Sequence, residues 1–265
     1  MFFCPLVSGS SGNATIVAHG QTVLLVDAGR SGRYLEESMR AAGVAPERLT
    51  AILVTHEHAD HIQSVGVLSR RYRIPIYATE GTWETMEEKR LIGRIAVEHR
   101  RVLVPGHGCG IGELGVVPFQ IPHDAAQPVG YRFRDGNGMT AVVATDLGYL
   151  SPAIEAACLN ATVALIESNH DVEMLRSGPY PKDLQERILG NRGHLCNEAA
   201  AQLATTMIRH GTRRIYLGHL SQENNHPAVA IRTVRRILKE SGIDLNRDCS
   251  LSVADRHLSS EPTRF

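Results

Sequence analysis

The run Thr55-His56-Glu57-His58-Ala59-Asp60-His61 sets three imidazoles and a carboxylate directly behind the apolar stretch Ala51-Ile52-Leu53-Val54. Imidazole nitrogen and carboxylate oxygen together suit Zn, Mn or Fe. A turn between a strand and a helix start can aim His56 and His58 one way, Asp60 and His61 another. Four ligands this close sit poorly on one ion and are too few for two, so further ligands are expected downstream. The competing reading is a polar loop with accidental histidines. Residue frequencies put a chance HxHxDH on the order of 10⁻⁶ per position.

Similar settings recur along the chain. His123 and Asp124 follow the apolar run Val116–Ile121, Asp146 follows Thr140–Ala144, and His219 follows Ile215–Leu217. Each lies just past the end of a strand-like segment, where open α/β sheets place their sites. Any one alone reads as a turn residue; four strand ends with the same chemistry read as a site. Asp27, after Thr22–Val26, could orient a ligand histidine through its second ring nitrogen. It could equally end a turn or cap the helix that follows.

The elements that must position these residues are legible as β-rich and helical patterns. Strands are expected at Ala14–Ala18, Thr22–Val26, Ala51–Val54, Ile74–Tyr77, Val116–Ile121, Val129–Phe133, Thr140–Ala144, Thr162–Ile166, Arg214–Leu217 and Ser250–Val253. Helices are expected at Gly32–Ala42, Asp60–Tyr72, Thr82–Arg90, Ser151–Ala157, Lys182–Leu189, Asn197–His210 and Pro227–Ser241. Ser151 before Pro152 and Asn197 before Glu198 are the expected caps. Interleaved strands and helices give an α/β class. Two halves, divided near Pro128, suggest two sheets face to face with helices outside, in a single domain over residues 1–265.

Composition narrows the classes. The 265 residues carry 28 Lys+Arg against 28 Asp+Glu, with 43% hydrophobic residues. That is an ordinary globular chain, neither disordered nor membrane-spanning. The opening Met1-Phe2-Phe3-Cys4-Pro5 lacks the features of a secretory signal. Five scattered cysteines without a CxxC fit a reducing cytoplasm. Zero net charge removes the simplest argument for nucleic acid. Thirteen histidines are many for this length.

Taken together, these residues resemble the metallo-β-lactamase superfamily. Asp27 looks like its first motif, His56-His58-Asp60-His61 its second, His123 its third, Asp146 its fourth and His219 its fifth. The resemblance implies an αβ/βα four-layer sandwich and two divalent metal ions (Zn, Mn or Fe). It places His56, His58 and His123 on one metal, Asp60, His61 and His219 on the other, and Asp146 between them. Ser8-Gly9-Ser10-Ser11-Gly12-Asn13, Pro122-His123-Asp124-Ala125, Glu167-Ser168-Asn169-His170-Asp171, Gly193-His194-Leu195-Cys196-Asn197 and the stretch from His219 to Asn225 are similar to the YycJ/WalJ group. Those are bacterial cytoplasmic proteins regarded as DNA exonucleases. Cys196 departs from the serine of that pattern, which weakens any role for a hydroxyl there. The 72 residues between Asp146 and His219 leave no room for the inserted domain of the ribonuclease J branch.

Two metals about 3.5–4 Å apart lower the pKa of a bound water towards neutrality, and the hydroxide formed can attack a phosphodiester. The chain would then supply positioning and a proton donor, with no Ser or Cys nucleophile. Asp60, His194 and His170 are the catalytic candidates, the histidines because they titrate near neutrality. His170 could instead cap a helix and His194 pack in a loop. Ser10, Ser11 and Asn13, in a Gly/Ser turn, could hold a substrate phosphate through backbone N–H groups, or simply form a tight hairpin turn. Asn224 and Asn225 could bind substrate or fix their loop.

The expected activity is that of a metal-dependent phosphodiesterase, a 5′→3′ DNA exonuclease by resemblance. The alternatives are a small-molecule hydrolase acting on a thioester, lactone or cyclic phosphodiester, or a metal-binding protein without catalysis. DNA is the expected partner, without a membrane. A neutral chain needs local cations for that. Lys89, Arg90, Arg94, Arg100 and Arg101 form one cluster, and Arg232, Arg235, Arg236 and Lys239 line one side of a helix, where a solvated face is the common explanation. Aromatic residues are scarce at 5%, so stacking is not the main grip.

Overall fold

Strand patterns and interleaved helices resolve, in a computed structural model describing residues 1–265, into two compact units. One comprises Met1–Gln120, Ala125–Met139 and Asp255–Phe265; the other comprises Ile121–Asp124 and Thr140–Ala254. The divide falls after Met139 rather than near Pro128.

The first unit holds β1 (Phe2–Val7), β2 (Ala14–His19), β3 (Thr22–Val26), α1 (Gly32–Ala41), β4 (Ala51–Leu53), α2 (Ala59–Ile62), α3 (Val65–Tyr72), β5 (Ile76–Thr79), α4 (Glu80–Glu88), β6 (Arg100–Leu103), β7 (Cys109–Ile111), β8 (Leu114–Gln120) and β9 (Val129–Asp135). From β1 to β3 the pairing is antiparallel; from β3 through β4 and β5 to β6 it is parallel. β7, β8 and β9 form an antiparallel ladder, in which Val129 pairs with Gln120. That ladder is why the chain does not part at Pro128.

Alternation on β8 shows a strand with one wet face: Leu114, Val116 and Pro118 are buried, while Gly115 and Val117 are exposed. By contrast β3 and β4 are buried along their whole length, as parallel strands covered on both faces must be. Their core includes Leu25, Ile52, Leu35, Met39, Leu68 and Trp83. Trp83 is fully buried, and its indole Nε1 donates to the Arg101 carbonyl at 2.9 Å.

The second unit holds β10 (Thr140–Ala144), α5 (Pro152–Cys158), β11 (Val163–Glu167), α6 (Val172–Ser177), α7 (Lys182–Leu189), α8 (Asn197–Arg209), β12 (Arg214–Gly218), α9 (Pro227–Glu240) and β13 (Ser250–Val253). Its four strands are parallel in the order β10, β11, β12, β13. The last strand of the chain, β14 (Thr263–Arg264), belongs to the first unit and pairs with β1.

Helix ends follow local chemistry. The Ser151 side chain accepts from the Ile154 N–H with Pro152 next in line, as expected. Asn197, expected as a cap, is instead the first residue of α8, with Cys196 before it. Its side chain is engaged elsewhere, accepting from Ser168 Oγ at 2.6 Å. The stretch Asp60–Tyr72, expected as one helix, is two. Ser64 breaks it by turning its hydroxyl onto the Arg30 carbonyl at 2.6 Å and its N–H onto the Ala28 carbonyl at 2.9 Å. No helix is long and apolar enough to cross a membrane.

Candidate functional site

The parallel strands deliver the polar residues in an unusual backbone conformation. Asp27, Asp146 and His219 follow β3, β10 and β12, and their φ angles are 60°, 61° and 53°. Non-glycine residues seldom adopt this left-handed conformation, and its strain persists only where the surroundings hold it. Here each chain turns sharply at the strand end and carries a ligand-type side chain.

In the first unit, Asp27 is the buried anchor. Its Oδ1 accepts the Thr55 N–H at 2.8 Å, and its Oδ2 accepts the Thr55 hydroxyl at 2.8 Å and lies 2.8 Å from His61 Nδ1. With Nδ1 held as a donor, the His61 ring keeps Nε2 as the nitrogen able to bind a cation. Nε2 lies 3.5 Å from Asp60 Oδ2 and 3.2 Å from Asn13 Nδ2. Burial pushes the Asp27 carboxyl up, while the His61 ring and the Thr55 donors pull it back. Beside them, His56 Nε2 stands 3.0 Å from His58 Nδ1, so two imidazoles converge.

Asn13 also closes the Gly/Ser turn, since its Nδ2 donates to the Gly9 carbonyl and its Oδ1 accepts the Gly9 N–H, both at 3.1 Å. Ser10 and Ser11 are exposed on that turn. Arg30 Nη1 reaches the Ser11 hydroxyl at 3.3 Å, placing a cation beside the residues proposed for phosphate. Ser11, Asp60 and Leu91 line a cavity of about 510 Å³. The exposed Lys89, Arg90 and Arg94 flank Leu91 in sequence. Arg100, from the same cluster, is drawn off by Glu80 at 2.7 Å and Glu87 at 3.3 Å and lies over the Trp83 ring. On α9, Arg232, Arg235, Arg236 and Lys239 are exposed opposite buried Val234 and Leu238, and Arg236 pairs with Glu240. That is the arrangement of a solvated face.

The second unit is built around a carboxylate to which the residue pattern alone assigns no role. Glu167, the last residue of β11, is 0% exposed. Its Oε1 lies 2.8 Å from His194 Nδ1 and 2.9 Å from His219 Nδ1. Its Oε2 accepts the N–H groups of Leu147 at 2.7 Å and Leu195 at 3.0 Å. Burial alone would raise this carboxyl, but the His194 and His219 rings and their hydrogen bonds outweigh it and hold it well below the usual range. One signal was available: Glu167 ends the strand between the two that carry Asp146 and His219.

Asp146, Glu167, His194 and His219 offer ligand atoms all within 4.8 Å of one another. His219 Nδ1 is 3.1 Å from Asp146 Oδ1. His123 Nε2 is 3.7 Å from that same oxygen and 3.3 Å from Asp124 Oδ1, and Asp124 is tied to Arg187. Burial pushes the His123 ring down, so it is neutral and able to ligate near neutrality. Clustered imidazoles and carboxylates of this kind are the donor set of Zn, Mn and Fe sites, so the residues present fit a divalent cation.

The remaining candidates occupy distinct settings. His194 is 20% exposed at its side chain, with Nδ1 on Glu167. His170 is 1% exposed, and burial pushes it down to about 4. Asn224 and Asn225 are buried. The Asn225 amide donates to the carbonyls of Ser168 at 2.9 Å and Asn169 at 3.1 Å, and Asn224 accepts the Asp171 N–H through its carbonyl. The Asn225 side chain thus ties the loop together, while the Asn224 side chain reaches Ser221 Oγ with Nδ2 at 3.4 Å. His226 is the N-cap of α9, where its Nδ1 accepts the Ala228 N–H.

Comparison with known proteins bears on this arrangement. A family model described as a beta-lactamase superfamily domain matches residues 22–220. The chain is 42% identical over 242 residues to the exodeoxyribonuclease YycJ of Bacillus anthracis, covering 91% of this chain and 90% of that one. It is 40% identical over 243 residues to the exodeoxyribonuclease WalJ of Streptococcus pneumoniae, covering 92% and 90%. Among solved structures, a metallo-β-lactamase fold protein, YhfI of Bacillus subtilis, superposes with a TM-score of 0.72 at 17% identity, over 98% of both chains. That likeness shows a shared fold, and with it the α/β sandwich class expected from the residues.

Proposed function

Since the chain belongs to the metallo-β-lactamase superfamily, in its YycJ/WalJ-like group, we propose that it is a metal-dependent phosphodiesterase that digests DNA from its ends, as a 5′→3′ exonuclease. The observation that carries this reading is the 40–42% identity to two exodeoxyribonucleases along nine-tenths of the chain. Family membership also supports taking residues 1–265 as one domain and the cytoplasm as its place.

In this reading His56, His58 and His123 hold one divalent cation, and Asp60, His61 and His219 the other, with Asp146 shared. When bound, the cations acidify a water and neutralise charge on the phosphoryl oxygens. The chain's own residues do the rest. Asp27 and Glu167 fix the His61 and His219 rings through Nδ1, so that neither must reorganise during reaction. Asp60 also stands as a base for the attacking water. His194, steadied at Nδ1 by Glu167, delivers the proton to the leaving oxygen. Ser10, Ser11 and Asn13, with Arg30 alongside, receive a neighbouring phosphate.

The test is release of nucleotides from labelled double-stranded DNA bearing a 5′ phosphate, in Mn²⁺ and in Zn²⁺. Digestion from the 5′ end is expected. No release under either metal, with turnover of a thioester, lactone or cyclic phosphodiester instead, would replace this function with the small-molecule reading.

A further inference from the structure

The parallel strands of the second unit end in an open edge. Outermost of them, β13 pairs only with β12, and the N–H groups of Ser250 and Ala254 turn inwards to the carbonyls of Arg213 at 2.9 Å and Leu217 at 2.8 Å. Backbone groups alternate in direction along a strand, so those of Leu251 and Val253 turn outwards, away from β12. Along this edge Ser250 is exposed, and Ser252 and Val253 are half-buried. An unpaired edge of this kind is a template for one more strand.

Beside the edge lies a groove of about 640 Å³, between the C-terminal half of α9, the turn after it and the start of β13. Ile243, Leu245 and Leu251 supply its apolar floor, and Arg235 and Lys239, one helical turn apart on α9, its cationic rim. Arg236 is spent on Glu240, whereas Arg235 and Lys239 have no acidic partner and stand solvated in the free chain. Asp244 is the acidic residue of the lining, and it serves its own turn, where Oδ1 accepts the Asn246 N–H at 2.9 Å. All of these residues belong to the second unit.

Three kinds of chemistry therefore meet here: a strand edge that pairs with extended backbone, a floor that takes an apolar side chain, and cations that take carboxylates. DNA would satisfy the cations but neither the floor nor the edge. A second copy of β13, Ser250-Leu251-Ser252-Val253, brings no acid to the cations. We propose that the groove and edge dock an extended, acidic segment of a partner protein. The segment pairs with β13, seats an apolar side chain on Ile243, Leu245 and Leu251, and sets its carboxylates against Arg235 and Lys239. Main-chain bonds give the affinity, and the pocket and the charges choose the partner. Ser250 lies level with Arg214 at the start of β12, whereas His219 follows the other end of that strand. That length of strand separates them by about 17 Å. Docking thus leaves the candidate site open, and the proposal goes beyond the exonuclease reading without depending on it.

The test is fluorescence anisotropy of the full chain with a labelled peptide, a run of aspartates followed by alternating valine and threonine, and with the same peptide carrying lysines for the aspartates. The acidic peptide should bind and the basic one should not. Arg235→Glu combined with Lys239→Glu, both at the solvated rim, should weaken binding about tenfold or more, while unfolding and DNA digestion stay as in the parent. Val253→Pro, which strips an outward N–H and keeps the bonds to β12, should weaken it as well. In NMR, the acidic peptide should shift the amide resonances of Ile243, Leu251 and Val253. Binding of neither peptide, equal binding of both, or shifts confined to other residues overturns the proposal. So does a DNA duplex that moves these resonances when the peptide does not, or a dimer that Val253→Pro makes monomeric. Absence of DNA digestion by the parent overturns the exonuclease reading alone.

Discussion

Glu167 Oε1 lies 2.9 Å from His219 Nδ1, and the same oxygen lies 2.8 Å from His194 Nδ1. One carboxylate thus sets the orientation of a candidate metal ligand and of the candidate proton donor. Asp27 repeats half of this device on His61, at 2.8 Å. In both pairs the carboxylate occupies Nδ1 and leaves Nε2 as the nitrogen able to ligate, the usual way a protein fixes a ligating imidazole.

Glu167→Gln should therefore damage two roles at once. An amide can present one oxygen and one NH₂. If the oxygen faces the histidines, the NH₂ meets the N–H groups of Leu147 and Leu195, donor against donor. Metal affinity is expected to fall about 10- to 100-fold, and kcat further, because His194 loses its partner as well. Metal titration and exonuclease rates on the same preparation check this. Asp27→Asn should weaken metal binding to a similar degree without touching the His194 step.

Gly29 makes a separate demand on the backbone. A Cβ at that position would lie 1.6 Å from the Asp60 carbonyl oxygen and 2.6 Å from the Asn13 nitrogen. The chain crosses there against the two segments that carry Asp60 and Asn13, and the Asn13 N–H bonds to that same carbonyl at 2.8 Å. Gly29→Ala must push them apart. A loss of about 1–3 kcal/mol, the range for overpacking, is expected in denaturant unfolding, together with reduced activity.

How far the sequence could be read depended on whether a residue's job showed in its immediate neighbours. His56, His58, Asp60 and His61 stand together behind an apolar strand, and their pattern is improbable by chance. Asp146 and His219 needed only the rule that sites gather at strand ends. Glu167 obeys that rule as well, yet a glutamate ending a buried strand looks like a boundary residue until His194 and His219 are seen to share it. Strand β1 is masked in the sequence by Pro5, a residue uncommon inside strands; its register with β2 shifts between Pro5 and Val7. Strand β6 opens with Arg100 and Arg101, which read as a surface cluster. The break at Ser64 depends on carbonyls of Ala28 and Arg30, more than thirty positions away, and no local pattern announces it.

Charge should act locally in this neutral chain. Replacing Lys89, Arg90 and Arg94 with glutamine is expected to lower kcat/KM on DNA. It should also flatten the slope of log kcat/KM against log salt by about 0.9 for each phosphate no longer neutralised. Glutamine at Arg232, Arg235 and Arg236 on α9 should change neither. Equal effects from the two sets would mean that DNA is gathered by diffuse attraction and not by the face that carries Asp60.

Removal of single ligands should separate binding from folding. His58 is half-buried and caps no helix end with its side chain, so His58→Ala should leave the unfolding transition of the metal-free protein almost unmoved while abolishing DNA digestion. Asp146→Ala should abolish it too. Its metal-free form should be somewhat less stable than the parent, because Asp146 sits at φ 61°, where alanine is strained, and the 3.1 Å contact of its Oδ1 with His219 Nδ1 is lost. Added Zn²⁺ or Mn²⁺ should raise the parent's stability by about 2.7 kcal/mol at a hundredfold excess over Kd, and raise either variant's by less. Thermal unfolding with and without a chelator reads both quantities. A variant that bound no metal and still digested DNA at the parent rate would remove the cations from the mechanism altogether.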